Sequence, residues 1–222
     1  TCNDVDDVPD GYEVVIRSHG VPETVYEKIQ TRGLAFHDAT CPFVAKIHKI
    51  AAEAGKNGAV LLVAGDRTHP EVEGIVGHAT GPVVVFAGLS ELEEWASKNE
   101  PQKSIYVVAQ TTFRVESWEA CKSFLKKWCT NPKIFDTICS ATWTRQQEAE
   151  DLSQKCDHMI VIGGHHSSNT QKLLQVAARH TDAVSIETAA ELDKNWLRGA
   201  KVVGVTAGAS TPSSIIEEVL NC

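Results

Sequence analysis

Short apolar runs, each followed by a polar loop and then a helical pattern, recur along the whole chain. Residues 58–64 (GAVLLVA) lead into GDRTHPEVEG, and residues 104–109 (SIYVVA) into QTTFRVESWEACKSFLKKW. Residues 158–162 (HMIVI) lead into GGHHSSNTQKLLQVAARH, and residues 201–205 (KVVGV) into TAGASTPSSIIEEVL. Strands alternating with helices of this length predict βαβ units, hence an α/β fold of parallel sheets covered by helices. The longest apolar runs, around residues 59–64 and 83–87, read as buried strands. Pro22 and Pro42 mark two helix starts, and Gly33 and Gly55 their ends. Ligands of such sheets bind beyond the carboxyl ends of the strands, where these polar loops lie.

The loops repeat. Cys41 is followed 28 residues later by His69 and 42 after that by Thr111, while Cys139 is followed 28 residues later by Ser167 and 43 after that by Ser210. Both cysteines close similar runs, HDATCP and FDTICS, with Asp38 and Asp136 three residues ahead of them. The SHGVP of residues 18–22 fits the third loop of an earlier copy, with His19 in the place of Thr111 and Ser210. The chain therefore reads as a pseudo-threefold repeat of small parallel-sheet αβ units around a central site. Residues 1–41 are the tail of a first unit, 42–136 a second unit and 137–222 a third. The period places a further cysteine roughly fifty residues ahead of Thr1. The one methionine is Met159, so the chain is expected to lack its initiator or to begin after the start of its gene.

Composition narrows the class. Apolar residues make up 42% and charged residues 23% of 222, an ordinary globular balance. No apolar run approaches the ~18 residues of a membrane helix. With 21 Lys+Arg against 29 Asp+Glu, a formal charge of −8 speaks against nucleic acid or an anionic membrane as partner. The opening TCNDVDDVPDG lacks the basic and apolar regions of a signal peptide, which fits a cytoplasmic protein. Seven cysteines, odd in number and irregular in spacing, suit thiols or metal ligands better than a disulfide framework.

SHGVP, DATCPFV, THPEVEG, QTT, DTICSAT followed by RQ, HSSNT and GVTAGAS closely resemble the 4-hydroxy-3-methylbut-2-enyl diphosphate reductase family. These are the iron–sulfur enzymes ending the methylerythritol phosphate route to isoprenoids, and the resemblance runs from about Pro9 to the C-terminus. It implies three α/β domains around a [4Fe–4S] cluster, each giving one cysteine, with Cys41 and Cys139 as the second and third ligands. The family's first cysteine loop, and a diphosphate-binding histidine loop after it, have no counterpart here. The implied reaction removes an allylic hydroxyl with two electrons and two protons, giving isopentenyl and dimethylallyl diphosphate. Ferredoxin or flavodoxin is the implied electron donor, and no GxGxxG follows a strand to suggest a nicotinamide or flavin site.

Three thiolates on a cubane leave one iron without a protein ligand, able to act as a Lewis acid and to pass electrons. Glu71 matches the family's proton-delivering carboxylate, and Thr111 the position that supports it by hydrogen bonding. For the diphosphate the sequence offers few cations. It offers His19, His69, Thr111, Ser167, Ser168, Asn169 and Ser210 instead, in loops that open helices, where free N–H groups favour an anion.

Plainer readings stand beside these. Cys121, Cys129 and Cys156 read as small buried hydrophobes. Cys121 and Cys129 share a helical stripe with Trp118, Leu125 and Trp128. Cys2 and Cys222 read as free thiols at frayed ends. His37, His48, His78, His158, His165, His166 and His180 read as structural or solvated. HSSNT by itself can be a helix cap. Two other functional classes remain open: a zinc-dependent hydrolase with Cys, His and Glu ligands, for which HPEVEGIVGH offers a His-x8-His spacing but no HExxH or paired CxxC, and a catalytically incomplete fragment or module that binds phosphorylated ligands.

Overall fold

In the computed structural model, which describes residues 2, 4–101 and 104–222, every strand pairing is parallel. The elements run β1 (Val14–Ile16), α1 (Glu23–Thr31), β2 (Phe36–Asp38), α2 (Pro42–Lys56), β3 (Val60–Ala64), α3 (Pro70–Gly77), β4 (Val83–Phe86) and α4 (Leu89–Ser97). They continue with β5 (Ile105–Ala109), α5 (Val115–Trp128), β6 (Lys133–Ile134), α6 (Ser140–Ser153), β7 (His158–Ile162), α7 (Ser168–Ala177), β8 (Asp182–Ile186), β9 (Val203–Ala207) and α8 (Ser213–Leu220). The chain divides into two compact units, Thr1–Thr137 and Ile138–Cys222.

The first unit holds a two-stranded sheet, β1-β2, and a four-stranded sheet ordered β4-β3-β5-β6. Leu61, Val63, Tyr106 and Val108 project from one face of β3 and β5 into a core with Ile47, Ile50, Ala51 and Ala54 of α2 and Val72 and Ile75 of α3. The alternate positions Leu62 and Val107 are equally buried, so these central strands read as continuous apolar runs rather than alternating ones. β4, at the sheet edge, buries only Phe86 fully. Trp118, Cys121 and Leu125 form the buried stripe of α5, and Cys129 is buried at its end. Thr137 extends the sheet with its side chain: its hydroxyl accepts from the N–H of Ala109 (2.8 Å) and donates to that residue's carbonyl (2.7 Å).

The second unit holds one sheet, β8-β7-β9. Met159 and Val161 face Ala149 of α6 and Leu173, Val176 and Ala177 of α7. Ile160 and Ile162 face the other way, against Val219 of α8. β7 thus occupies the same central place as β3, and β5–α5–β6 repeats the plan of β1–α1–β2.

Two sequence expectations shift. Gly55 does not end α2, which runs on to Lys56; a Cβ at Gly55 would collide with Thr80 and Gly81, so close packing requires this glycine. Gly58, with φ of +61°, follows the actual stop at Asn57. The last strand begins at Val203 instead of Lys201, because the Asp157 carboxylate takes the N–H groups of Lys201 (2.7 Å) and Val202 (2.9 Å).

Candidate active site

β3 and β5 pair with Ala64 opposite Ala109, so their C-terminal loops leave the sheet side by side. Gln110 ties the loops together: its N–H donates to the Ala64 carbonyl (2.8 Å), and its side-chain carbonyl accepts from the N–H of Asp66 (3.1 Å). Gln110 stands out in sequence only as the neighbour of Thr111; strand pairing is the signal that finds it.

His69 caps α3, its Nδ1 accepting from the N–H of Glu71 at 3.1 Å. That bond leaves Nε2 to carry the proton of the neutral ring. Glu71, 2% exposed, is gripped twice by Thr111: the Thr111 N–H donates to Oε1 (2.6 Å) and its hydroxyl to Oε2 (2.7 Å). Burial pushes the Glu71 carboxyl above its ordinary value, and the two Thr111 bonds oppose that rise without cancelling it. The result is a buried acid with one hydroxyl as its neighbour.

The β1–α1 loop reaches the same place. It lies against α3 because Gly74 and Gly77 have no side chains; a Cβ on Gly77 would collide with Pro22. The His19 ring meets His69 edge-on, with centroids 5.2 Å apart. Burial, helped by Arg17, holds the His19 imidazole below its usual range, and its Nδ1 is buried with no partner among the described residues. Cys41 is anchored to this loop by its N–H, which donates to the Ser18 carbonyl at 3.0 Å. Its free, half-buried thiol stands at the N-cap of α2.

Cys139 stands at the N-cap of α6 with a free, half-buried thiol, as Cys41 does on α2. The matching aspartates serve as anchors. Asp38 accepts from the Thr40 N–H (2.9 Å) and the Tyr26 hydroxyl (3.0 Å), and Asp136 from Trp118 Nε1 and Lys122 Nζ, both at 2.8 Å.

In the second unit Ser167 caps α7, its hydroxyl accepting from the Thr170 N–H, and Ser168 and Asn169 form the first turn. Asn169 is 8% exposed, yet neither its amide nitrogen nor its amide oxygen has a partner among the described residues. Such an orphan costs about 1–3 kcal/mol per group unless a ligand meets it. Ser210 is exposed in the β9–α8 loop, which is fastened to the end of β7 by Thr211 Oγ1 (3.0 Å) and the Gly208 N–H (2.8 Å), both donating to the Ile162 carbonyl.

The histidines of HPEVEGIVGH do not form a metal pair. His69 and His78 cap opposite ends of α3, nine residues and so about 13.5 Å apart along the axis. His78 is engaged by the Val21 carbonyl (3.0 Å) and Glu23 (3.0 Å). Among the described residues no three His, Cys, Asp or Glu side chains are grouped to hold a metal ion by themselves.

A sequence model of the family described as LytB protein matches residues 2–222. The chain is 44% identical over 220 residues to the 4-hydroxy-3-methylbut-2-enyl diphosphate reductase of Clostridioides difficile (strain 630), covering 99% of this chain and 78% of that protein. It is 38% identical over 218 residues to the reductase of the same name from a Nitratiruptor species, covering 98% and 78%. Among solved structures, the E-1-hydroxy-2-methyl-but-2-enyl-4-diphosphate reductase from Plasmodium falciparum superposes with a TM-score of 0.90 at 28% identity, covering 99% of this chain and 70% of that one. A structure of (E)-4-hydroxy-3-methyl-but-2-enyl diphosphate reductase, described as the terminal enzyme of the non-mevalonate pathway, gives a TM-score of 0.60 at 34% identity, covering 96% and 78%. With its whole length matched and its loops built as described, the chain belongs to the LytB protein family.

Proposed function

We propose that this chain acts in the reductive removal of the allylic hydroxyl of 4-hydroxy-3-methylbut-2-enyl diphosphate. Two electrons and two protons enter, the C–O bond breaks, the oxygen leaves as water, and isopentenyl or dimethylallyl diphosphate remains. Beside membership of the family, one observation carries this: a buried carboxyl, Glu71, hydrogen-bonded to a single hydroxyl at the mouth of a parallel sheet.

The cofactor is an iron–sulfur cluster, which we assign as [4Fe–4S] with Cys41 and Cys139 as two of three thiolate ligands and the third from outside these residues. Both thiols are free, and both open helices, whose N-termini favour negative charge. When bound, the cluster supplies the electrons and Lewis acidity at an iron without a protein ligand. Glu71 holds the proton that the leaving oxygen needs. The Thr111 hydroxyl can accept that proton while donating its own, a relay over the 2.7 Å bond. His19 and His69 from one set of loops, and Ser167, Ser168, Asn169 and Ser210 from another, donate to the diphosphate. Their donors orient the substrate without a cluster of guanidinium groups. Electrons come from a separate ferredoxin or flavodoxin in the cytoplasm. No helix among the described residues is long and apolar enough to cross a membrane. Residues 1–41, 42–136 and 137–222 are assigned to successive repeat units, a division supported by the matching β1–α1–β2 and β5–α5–β6 plans.

Prepared anaerobically as the intact enzyme, the protein should carry iron and acid-labile sulfide and convert the diphosphate with reduced carrier. Cys41→Ala and Cys139→Ala should each lose the cluster and its colour, since one thiolate fewer cannot hold a cubane firmly. Full iron and sulfide in either variant would overturn the ligand assignment. Diphosphate binding with no iron in the unaltered protein would leave a binding module, the reading that the Asn169 amide alone would support.

A further inference from the structure

Two loops of the candidate site are fastened by the same device. In the first unit, Arg67 of the β3–α3 loop donates from Nη2 to Glu91 Oε2 at 3.0 Å, and the same oxygen accepts the N–H of Ala87 at 3.1 Å. Ala87 immediately precedes Gly88, the N-cap of α4. In the second unit, His165 of the β7–α7 loop meets Glu191 Oε2 through Nε2 at 3.0 Å, and that oxygen accepts the N–H of Glu187 at 3.0 Å. Glu187 immediately precedes Thr188, the N-cap of the short 3-10 helix Ala189–Glu191. Arg67 and His165 stand 98 residues apart, the period of the cysteines, and Glu91 and Glu191 stand 100 apart, two residues more.

We infer that Glu91 and Glu191 are positioning residues, each latching a substrate loop through its basic residue to the start of the helix after the next strand, α4 in the first unit and Ala189–Glu191 in the second. The latched loops lead directly into His69 in one unit and Ser167 in the other, so the latches fix where the diphosphate donors stand. This inference rests on the reductase reading for its ligand. The second latch is the more elaborate: the Glu187 carboxylate takes the His165 N–H (2.7 Å), and Gln171 Nε2 donates to the His165 carbonyl (2.9 Å). Both latching carboxyls are held below the usual range, chiefly by the backbone N–H each accepts and then by the basic partner. An exposed ion pair by itself contributes little. Here one carboxylate oxygen also accepts the N–H of the residue just ahead of the helix's N-cap, Ala87 or Glu187.

Two measurements on the full chain test this. Amide hydrogen exchange without ligand should show the N–H groups of His165 and Ser167 exchanging faster in Glu191→Ala, with β7 protection unchanged. Calorimetry with 4-hydroxy-3-methylbut-2-enyl diphosphate, on the intact enzyme, should show affinity falling roughly three- to tenfold in Glu191→Ala. His165→Arg installs the first unit's latch in the second, and should match the unaltered protein in both. Unchanged loop exchange in Glu191→Ala overturns the latch. Faster exchange with unchanged affinity overturns its role in placing the substrate. Faster exchange in a protein that binds no diphosphate even unaltered supports the latch and sinks the reductase reading instead.

Discussion

Glu71 lies where two opposed effects on a carboxyl meet. Burial favours its neutral form and the two Thr111 bonds favour its anion, and burial is the larger. An acid so raised is protonated nearer to neutrality, which is what delivery of a proton to a leaving oxygen requires. Glu71→Gln keeps the size and can still accept from the Thr111 N–H, but has no proton to deliver. In the intact enzyme kcat should fall about 10²-fold or more, with KM and iron content little changed. Near-normal kcat at saturating reductant would reduce Glu71 to a helix-start residue. His48 gives a second prediction, on pH. It is 6% exposed and stacked on His78, with ring centroids 4.1 Å apart. Desolvation and the charge of His78 outweigh the pull of Asp38 and lower the His48 imidazole from 6.5 to about 4. Above the unfolded value both states leave the ring neutral, so its full contribution is present there. Below 6.5 the unfolded chain takes up a proton that the folded protein refuses, and stability is lost down to about 4. Urea midpoints at pH 7 and pH 5 should therefore differ less in His48→Gln than in the unaltered protein; equal differences would remove His48 from the acid response. Residue by residue, Glu71, Thr111 and the capping Ser167 stand out in sequence because they sit in motifs. Arg67, Glu91 and Glu191 do not, because exposed charges on loops and helix starts look alike until their partners are known.

Glycines on α3 decide how the elements meet. The bare strip at Gly74 and Gly77 receives the β1–α1 loop, and with it His19. Gly77→Ala puts a methyl group into the Pro22 ring, where backbone on both sides leaves little room to yield. It should cost about 1–3 kcal/mol of stability, read as a lowered Tm, and loosen His19 while Glu71 and Thr111 keep their bond. An unchanged Tm would mean that the loop sits there for other reasons. The elements themselves were largely legible: β7 falls on residues 158–162 as its apolar run predicts, and the buried stripe of α5 follows helical spacing. Where an element's end departs from the hydrophobic pattern, the cause is local. Asp157 takes the N–H groups of Lys201 and Val202 with its carboxylate, a long-range contact that no pattern of hydrophobicity records. Gly55 looks like a stop and is a contact point, since sequence alone does not separate a glycine needed for its φ from one needed for its size.

Across the molecule the same plan is used more than once, with a central strand flanked by two parallel neighbours and helices packed on the sheet. Spacing revealed that repetition because loops of equal length keep their chemistry at equal intervals, even where Thr111 is replaced by Ser210. Parallel pairing has a further consequence, for assembly during synthesis. A hairpin strand finds its partner a few residues away, whereas here each strand must wait for a whole helix to be made before its neighbour arrives. Until then β3 and β7 are exposed apolar ribbons of similar length, and a ribbon of one copy is a ready mate for the flanking strands of the other. The repeated design therefore carries a built-in hazard of cross-pairing between copies and between chains, and keeping the two sheets apart while they form falls to differences in their side chains: Tyr106 and Leu61 in one core, Met159 and Val161 in the other.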